Sequence, residues 1–182
     1  MPRGIIIFGP AGAGKTTLGR AVAAELRLPY IDIDEHIWHQ DTDVPFSALY
    51  PRQERILRLR EALAGKDAFV MAGSMDSFHE HFDPLFALAV HLTADAALRV
   101  ARIHAREQAL LGTRILPGGD LHERHQGFLA DAASYEAGGG SMSLERHRQW
   151  AASLRCPVIA LDGGADLAAL TQAVAQAWRQ AA

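Results

Sequence analysis

Residues 9–17 read Gly9-Pro10-Ala11-Gly12-Ala13-Gly14-Lys15-Thr16-Thr17, and they fit the phosphate-loop pattern G-x-x-x-x-G-K-[ST]. The apolar run at residues 5–8 precedes them and a helical pattern follows, which is the strand–loop–helix context that this motif requires. Glycines at these positions let the backbone N–H groups turn inward and form an anion nest, which the positive end of the following helix reinforces. The stretch therefore predicts a site for the phosphates of a nucleotide.

Each residue of the loop has an expected role. We expect Lys15 to reach the β- and γ-phosphates, the Thr16 hydroxyl to ligate Mg²⁺, and Thr17 to lie in the first helical turn. The remaining nucleotide-binding residues are those of the loop itself, namely Gly9, Ala11, Gly12, Ala13 and Gly14. The alternative is a glycine-rich turn that binds nothing, but such a turn does not need a lysine and a hydroxyl at these offsets.

Length and composition favour one globular domain. A chain of 182 residues can bury one core but is short for two independent domains. The formal net charge of −3 argues against a nucleic-acid partner. The single Cys156 excludes an intramolecular disulfide, and no apolar segment approaches the length of a membrane span. We therefore expect a cytoplasmic protein without a membrane partner, present as a monomer or a homodimer.

Strand-like and helical patterns alternate along the chain. Apolar or alternating runs predict strands at residues 4–8, 30–34, 68–72, 86–92 and 157–161. Helical spacing connects them, with one helix capped by Thr93 and another beginning near Asp120. Strands that alternate with helices predict an α/β fold around a parallel sheet. We expect a single domain over residues 1–182, with an acceptor-binding region at about 35–64 and a glycine-hinged lid at about 107–120.

The second predicted strand ends in two acidic residues. The strands that end at Ala72 and Leu92 carry no terminal aspartate, whereas the second strand ends in Asp32-Ile33-Asp34. A spacing of two places both carboxylates on one side of an extended chain, and the carboxyl ends of parallel strands face the ligand crevice. We assign Asp32 to Mg²⁺ or its waters, and Asp34 to the acceptor hydroxyl as orienting group or base. The alternative is a pair of solvated turn acids.

Arginines on the helix predicted from Thr93 to about Leu111 and in the lid are candidates to neutralise the charge of a transferred phosphoryl group. Charge spreads over the phosphoryl oxygens in the transition state, so cations that close over it are expected. We favour this role for Arg106 and Arg114, and Arg124 is a further candidate. For Arg99 and Arg102, a solvated helix face is at least as well supported by the pattern.

Histidines and aromatic residues give weaker signals. The chain has nine histidines, but their pairs complete no recognised three- or four-ligand pattern, which argues against structural zinc. Trp38 and Phe46 lie in the predicted acceptor region. They could form a wall of an acceptor pocket, or a small satellite core.

The order of these features resembles that of the shikimate kinase and gluconate kinase branch of nucleoside-monophosphate-kinase-like P-loop proteins. The resemblance rests on the phosphate loop, the Asp32-x-Asp34 pair, the Arg102-x-x-x-Arg106 helix and the flap at residues 113–119. It implies a three-layer α/β/α fold whose five-stranded parallel sheet has the order 2-3-1-4-5, with a small lid that carries an arginine. It also implies ATP with Mg²⁺ as the phosphoryl donor.

The same resemblance implies roles for individual residues. Asp32 would serve Mg²⁺ and Asp34 the acceptor hydroxyl, whereas Arg106 would pack on adenine and Arg114 would close on phosphate. One departure concerns the segment after the third strand, where residues 73–76 read Gly-Ser-Met-Asp and shikimate kinases carry a glycine triplet. We therefore expect a neutral or weakly charged hydroxylated metabolite as acceptor rather than shikimate.

These observations predict an ATP-dependent kinase that transfers the γ-phosphoryl group to a hydroxyl of a small molecule. A nucleoside monophosphate kinase is the nearest alternative. A nucleotide-binding regulatory module, in which lid closure signals to a partner, is an alternative from another class. A nucleic-acid-end kinase is less well supported because of the acidic net charge.

Overall fold

A five-stranded parallel sheet lies between layers of helices. The computed structural model describes residues 3–75, 77–138 and 142–181, so Asp76 of the departing segment lies outside the described residues. The strands are β1 (Arg3–Phe8), β2 (Tyr30–Asp32), β3 (Ala68–Ala72), β4 (Phe86–Thr93) and β5 (Val158–Asp162). Their order in the sheet is β2-β3-β1-β4-β5, and every neighbouring pair is parallel. This order confirms the predicted topology.

Helices cover both faces of the sheet. They are α1 (Lys15–Leu26), α2 (Ile33–Ile37), α3 (Arg52–Leu63), α4 (Ala96–Leu111), α5 (His122–Ala133), α6 (Leu144–Ser153) and α7 (Leu167–Ala181). Alternate residues of β1 point to opposite faces: Ile5 and Ile7 pack with α1 and α7, whereas Ile6 and Phe8 pack with α3 and α6. Both faces are thus apolar, which is why the central strand is a continuous hydrophobic run.

The parallel strands end together at one edge of the sheet. Ile7 of β1 is level with Ala72 of β3 and with Val90 of β4, so the residues after these strands emerge side by side. The phosphate loop follows β1 at this edge, and Asp32 is the last residue of β2. The carboxyl edge of an open parallel sheet is where ligands bind in this class of fold.

The second strand is shorter than predicted. It ends at Asp32, and α2 begins at Ile33 because the Asp32 side chain accepts a hydrogen bond from the Asp34 amide at 3.2 Å and caps the helix. The expectation that Asp32 and Asp34 share one side of an extended chain is therefore wrong. Asp34 lies instead in the first turn of α2.

Two predicted helix starts are also wrong. The cap of α4 is Asp95 rather than Thr93, and its carboxylate accepts from the amides of Ala97 and Leu98. Asp120 caps no helix, because its carboxylate binds Arg114 and α5 begins at His122. An aspartate near a helix start can cap the helix, as Asp95 does, or form an ion pair, as Asp120 does, and sequence spacing alone does not separate the two.

The predicted flap forms a short ordered segment between α4 and α5. Residues Gly112–Ile115 make one turn of 3₁₀-helix, and Ile115 is buried against the neighbouring helices. Gly112 and Gly118, which bracket this turn, both have positive φ angles, of 59° and 87°. Such angles favour glycine, so the chain can reverse at both ends of the segment. In the described part of the chain, no helix has the length and apolar character needed to cross a membrane.

Candidate functional site

A cavity of about 1080 Å³ opens at the carboxyl edge of the sheet. The phosphate loop from Pro10 to Thr17 lines one end of it. Asp34, Trp38 and Phe46 line it further on, and α4 and α5 contribute side chains that include Arg106 and Arg124. The cavity therefore brings together the nucleotide motif, both acids and part of the predicted acceptor region.

The phosphate loop is held by close backbone packing. Gly9 has a φ of 147°, and a Cβ atom added there would lie 1.9 Å from the carbonyl oxygen of Leu92. A Cβ atom added at Gly12 would lie 2.5 Å from the carbonyl oxygen of Arg99. Neither position can carry a side chain without movement of the backbone. Lys15 Nζ donates a hydrogen bond to the carbonyl of Pro10 at 2.8 Å, so the lysine spans the loop.

Tyr30 connects the two residues that we assigned to Mg²⁺. Its hydroxyl donates to Asp32 Oδ2 at 3.2 Å and accepts a hydrogen bond from the Thr16 side chain. Burial, followed by the nearby Asp32 charge, raises the pKa of Tyr30 above its usual value. Because Thr16 gives its hydrogen to Tyr30, the lone pairs of its oxygen remain for a cation.

These oxygens fit a magnesium ion. Mg²⁺ is usually bound by one or two carboxylates together with substrate phosphates and waters. Within residues 3–75, 77–138 and 142–181, no group of three or more His, Cys, Asp and Glu side chains could hold a metal ion alone. Thr16 and Asp32 would therefore hold Mg²⁺ jointly with a nucleotide. We did not predict Tyr30 from the sequence, although its spacing of two from Asp32 in a strand was a usable signal.

Asp34 lies on the cavity wall and is partly buried. Burial raises the pKa of its carboxyl group, and the Asp32 charge adds to this effect. The Lys15 charge, a hydrogen bond from the Trp38 indole and the Arg106 charge act in the opposite direction. A carboxylate with a raised pKa is a better proton acceptor near neutral pH.

The arginines of α4 have separate environments. Arg102 donates to the carbonyl of Gly163 from both Nη atoms at 3.1 Å, and its Nη1 lies 3.4 Å from the carbonyls of Gly12 and Ala13. It thus links the phosphate loop to the turn after β5. Arg106 lines the cavity, and its charge acts on Asp34.

Arg99 has no solvated face. Its side chain is 0% exposed, pairs with Glu136 at 2.6 Å, and donates to the carbonyls of Ala94 and Ala132. The solvated alternative for Arg99 is therefore wrong. The first turns of α4 pack against the segment after α5, which carries Glu136. The spacing of the arginines along α4 does not indicate this tertiary contact.

The arginines that follow α4 hold the loop between α2 and α3. Arg114 binds Asp120 at 2.7 Å and Asp43 at 2.9 Å, and these ion pairs raise its pKa. Arg124 on α5 lines the cavity and donates from Nη2 to the carbonyls of Pro45 and Phe46 at 3.2 and 3.0 Å. Of the three candidates, Arg106 and Arg124 thus contribute to the cavity wall, and Arg114 joins the segment between α4 and α5 to the loop between α2 and α3.

Histidines that we did not assign a role form a network beside the cavity. His125 is buried on α5, with Nδ1 2.5 Å from Glu107 and Nε2 2.8 Å from Nδ1 of His104. On β4, burial is the main cause that lowers the pKa of His91 to about 4, so this side chain is neutral. His91 Nε2 lies 3.0 Å from the hydroxyl of Tyr135, which lines the cavity.

This arrangement defines a class of protein. A phosphate loop after the central strand of a 2-3-1-4-5 sheet, with a cavity that extends from the loop to the segment between α4 and α5, is the nucleoside-monophosphate-kinase-like P-loop fold. The family described as Shikimate kinase matches residues 11–115, which are more than half of the chain. The chain belongs to the shikimate kinase family.

Individual relatives agree with this assignment. The chain is 30% identical over 160 residues to the shikimate kinase of Pelotomaculum thermopropionicum, covering 79% of this chain and 90% of that protein. It is 28% identical over 163 residues to the uncharacterized protein YqaC of Bacillus subtilis, with 89% of each chain covered. The structure of shikimate kinase from Acinetobacter baumannii in complex with shikimate superposes with a TM-score of 0.59 at 19% identity, covering 99% and 94% of the two chains. At that identity the superposition shows the shared fold alone.

Proposed function

We propose that this protein is an ATP-dependent kinase that transfers the γ-phosphoryl group of ATP to a hydroxyl of a small metabolite. The observation that carries the proposal is Asp34, a carboxylate whose pKa burial raises and which shares one cavity with the phosphate loop. A nucleotide-binding module without an acceptor would not need a proton acceptor at this place. Family membership supports the donor assignment.

The loop residues bind and orient the donor. Backbone N–H groups between Gly9 and Thr17 would hold the phosphates, and Lys15 would carry charge to the β- and γ-phosphates. Thr16 and Asp32 would hold Mg²⁺, which would supply positive charge to the phosphate groups during transfer. Tyr30 fixes Thr16 and Asp32 relative to each other.

Asp34 acts on the acceptor. The acceptor oxygen forms a bond with the γ-phosphorus as the bond to the bridging oxygen breaks, and ADP departs with that oxygen. The hydroxyl proton passes to the Asp34 carboxylate, which the Trp38 indole N–H orients. Arg106, whose charge already acts on Asp34, would stabilise the transferred group. This role differs from the adenine contact that the family resemblance implies for Arg106.

The lid completes the site. We propose that residues 107–120 form this lid of a single domain and that residues 35–64 bind the acceptor. Arg114 supports this assignment because its ion pairs with Asp43 and Asp120 join the two regions. Arg114 would then act on phosphate only after exchanging these partners. Closure of such a segment excludes water from the transferred group.

The direct test is acceptor-dependent release of ADP from ATP and Mg²⁺. The acceptor set should contain hydroxylated metabolites, with and without charge, and nucleoside monophosphates. Stimulation by a hydroxylated metabolite supports the proposal, whereas stimulation by nucleoside monophosphates alone favours a nucleotide kinase. If ATP binds but every acceptor leaves ADP release at the rate of slow hydrolysis, the kinase proposal is wrong and a regulatory nucleotide-binding module is favoured.

A further inference from the structure

Phe46 has an unusual backbone conformation at the cavity wall. Its φ angle is 58°, in the left-handed region that residues with a Cβ atom disfavour. The side chain remains 41% exposed, so burial of the ring does not offset this conformation. The two hydrogen bonds from Arg124 to the carbonyls of Pro45 and Phe46 hold it instead. Strained residues of this kind concentrate at ligand sites.

The ring of Phe46 continues into a second aromatic side chain. It contacts Trp38 edge to face, with ring centroids 6.1 Å apart and an interplanar angle of 84°. Both rings line the cavity. The indole N–H of Trp38 donates to the carboxylate of Asp34. We call Trp38 and Phe46 the aromatic wall. An acceptor whose hydroxyl reaches Asp34 would thus lie beside the aromatic wall.

Among the described residues that line the cavity, basic and acidic side chains are equal in number: Lys15, Arg20, Arg102, Arg106 and Arg124 are matched by Asp32, Asp34, Glu35, Glu107 and Asp131. Arg124 binds two carbonyls, and the Gln40 side-chain amide donates to the carbonyl of Trp38 at 2.8 Å. Arg106 also lines the cavity, but its charge acts on Asp34, where the phosphoryl group would be transferred. A carboxylated acceptor needs a cation as partner, because a buried charge without one is costly. The surroundings of the wall favour an uncharged molecule.

We propose that the acceptor is an uncharged hydroxyl compound with an apolar or aromatic face, which packs on the aromatic wall while its hydroxyl binds Asp34. Arg124 is the positioning residue that holds the wall in place through the Phe46 carbonyl. This inference rests on the proposed kinase function. It names the substrate class of that same site.

Four compounds in two matched pairs test the substrate class. Shikimate and its methyl ester differ in charge, and methyl β-glucoside and phenyl β-glucoside differ in an aromatic group. We expect the ester to exceed shikimate in kcat/KM, and phenyl β-glucoside to exceed methyl β-glucoside by about tenfold, as for an added group in an apolar pocket. If shikimate exceeds its ester, or the two glucosides are equal, the inference is overturned while the kinase function stands.

Substitutions distinguish binding of the acceptor at the aromatic wall from catalysis at Asp34. Phe46→Asn removes the ring but tolerates a positive φ, so it should raise KM for phenyl β-glucoside about tenfold and leave methyl β-glucoside unchanged. Phe46→Tyr keeps the ring and should restore KM. Trp38→Phe keeps an aromatic ring but loses the N–H to Asp34, so it should lower kcat more than it raises KM. Arg124→Lys keeps the charge but should raise KM for phenyl β-glucoside, and Val158→Ala at an exposed position of β5, away from the cavity lining, is the neutral control.

A binding measurement keeps the inference separate from the kinase function. Calorimetry with a non-hydrolysable ATP analogue compares the affinities of the two glucosides without turnover. We expect phenyl β-glucoside to bind about tenfold more tightly, and Phe46→Asn to abolish the difference. If none of the four compounds raises ADP release but this binding difference is present, the kinase function fails and the aromatic wall stands. Equal affinities of the two glucosides, or no effect of Phe46→Asn, overturn the inference.

Discussion

Replacement of Asp34 by asparagine should lower activity and raise stability at the same time. The substitution keeps the shape of the side chain and an oxygen that can accept from the Trp38 indole, but it removes the charge and the proton acceptor. General-base catalysis typically contributes about 10²–10⁴-fold, so we expect kcat to fall by at least about 100-fold. The affinity for ATP should stay near that of the unaltered protein, because the phosphate loop is unchanged.

The stability effect follows from the pKa of Asp34. Burial raises this pKa in the folded protein above its value of about 3.9 in the unfolded chain. The stabilising contribution is therefore fully present below the unfolded pKa and is lost as pH rises through the folded pKa. Asparagine does not ionise, so Asp34→Asn should unfold at a higher temperature than the unaltered protein at neutral pH. The difference should shrink towards acid pH.

Thermal unfolding over a series of pH values, combined with steady-state kinetics, measures both effects. For a chain of this size, about 1 kcal/mol corresponds to a shift of about 2–4 °C in Tm, which calorimetry resolves. Asp34→Glu is the matched control, because it keeps the charge and displaces the carboxylate by one methylene. A full rate in Asp34→Asn with an accepted substrate would refute the catalytic role. A Tm that falls at neutral pH would refute the argument from burial.

Three further predictions concern the donor side and the core. Lys15→Ala should weaken ATP binding and turnover together, measured by calorimetry and ADP release, because the lysine carries charge to the phosphates. Tyr30→Phe should raise the Mg²⁺ concentration for half-maximal binding of ATP about three- to tenfold, measured by calorimetric titration, since Thr16 and Asp32 lose their common partner. Arg99→Leu should lower the free energy of unfolding by about 1–3 kcal/mol in urea denaturation, because the carbonyls of Ala94 and Ala132 lose their buried donor.

Each of these variants has a matched control on the same chain. Lys66→Ala removes a lysine outside the loop, and Tyr50→Phe removes a hydroxyl away from Thr16 and Asp32. Arg60→Leu removes an exposed arginine from α3. A control that reproduces the effect of its partner variant would show that the loss is unspecific. An unchanged Mg²⁺ dependence in Tyr30→Phe would contradict the bridging role of its hydroxyl.

Local signals in the sequence were sufficient for the core of the fold. The phosphate loop combines a fixed motif with an apolar strand before it and a helix after it, and α1 has the bounds that were predicted, Lys15–Leu26. The order of the sheet followed from resemblance to a known family and is confirmed. The loop and α1 depend on a pattern that is complete within a short stretch of chain, whereas the sheet order depends on features spread along much of the sequence.

Tertiary contacts were beyond the reach of those signals. Arg99 lies on a helix face with Arg102 and Arg106. Of these three arginines, only Arg99 is buried, because α4 packs there against the segment that carries Glu136. Asp34 lies in a helix rather than a strand, because the Asp32 side chain caps the helix that begins at Ile33. In each case a polar side chain had several possible partners, and only the folded chain decides among them.

Less of the candidate site than of the fold could be predicted from the sequence. The residue types for phosphate and Mg²⁺ binding follow from chemistry, whereas the positions of Tyr30, Trp38 and Arg124 depend on which loops meet. Phe46 shows the limit most plainly. Its sequence neighbours do not indicate a positive φ, which arises where α5 contacts the loop between α2 and α3.

The packing behind the phosphate loop constrains synthesis of the protein on the ribosome. The loop is translated early, but Gly9 packs on Leu92, Gly12 packs on Arg99, and a Cβ atom at Gly163 would lie 2.1 Å from the carbonyl of Ala13. All of these contacts of the loop can therefore be present only after the turn that follows β5 has left the exit tunnel. A nucleotide that binds only the fully packed loop would thus stabilise the chain late in translation.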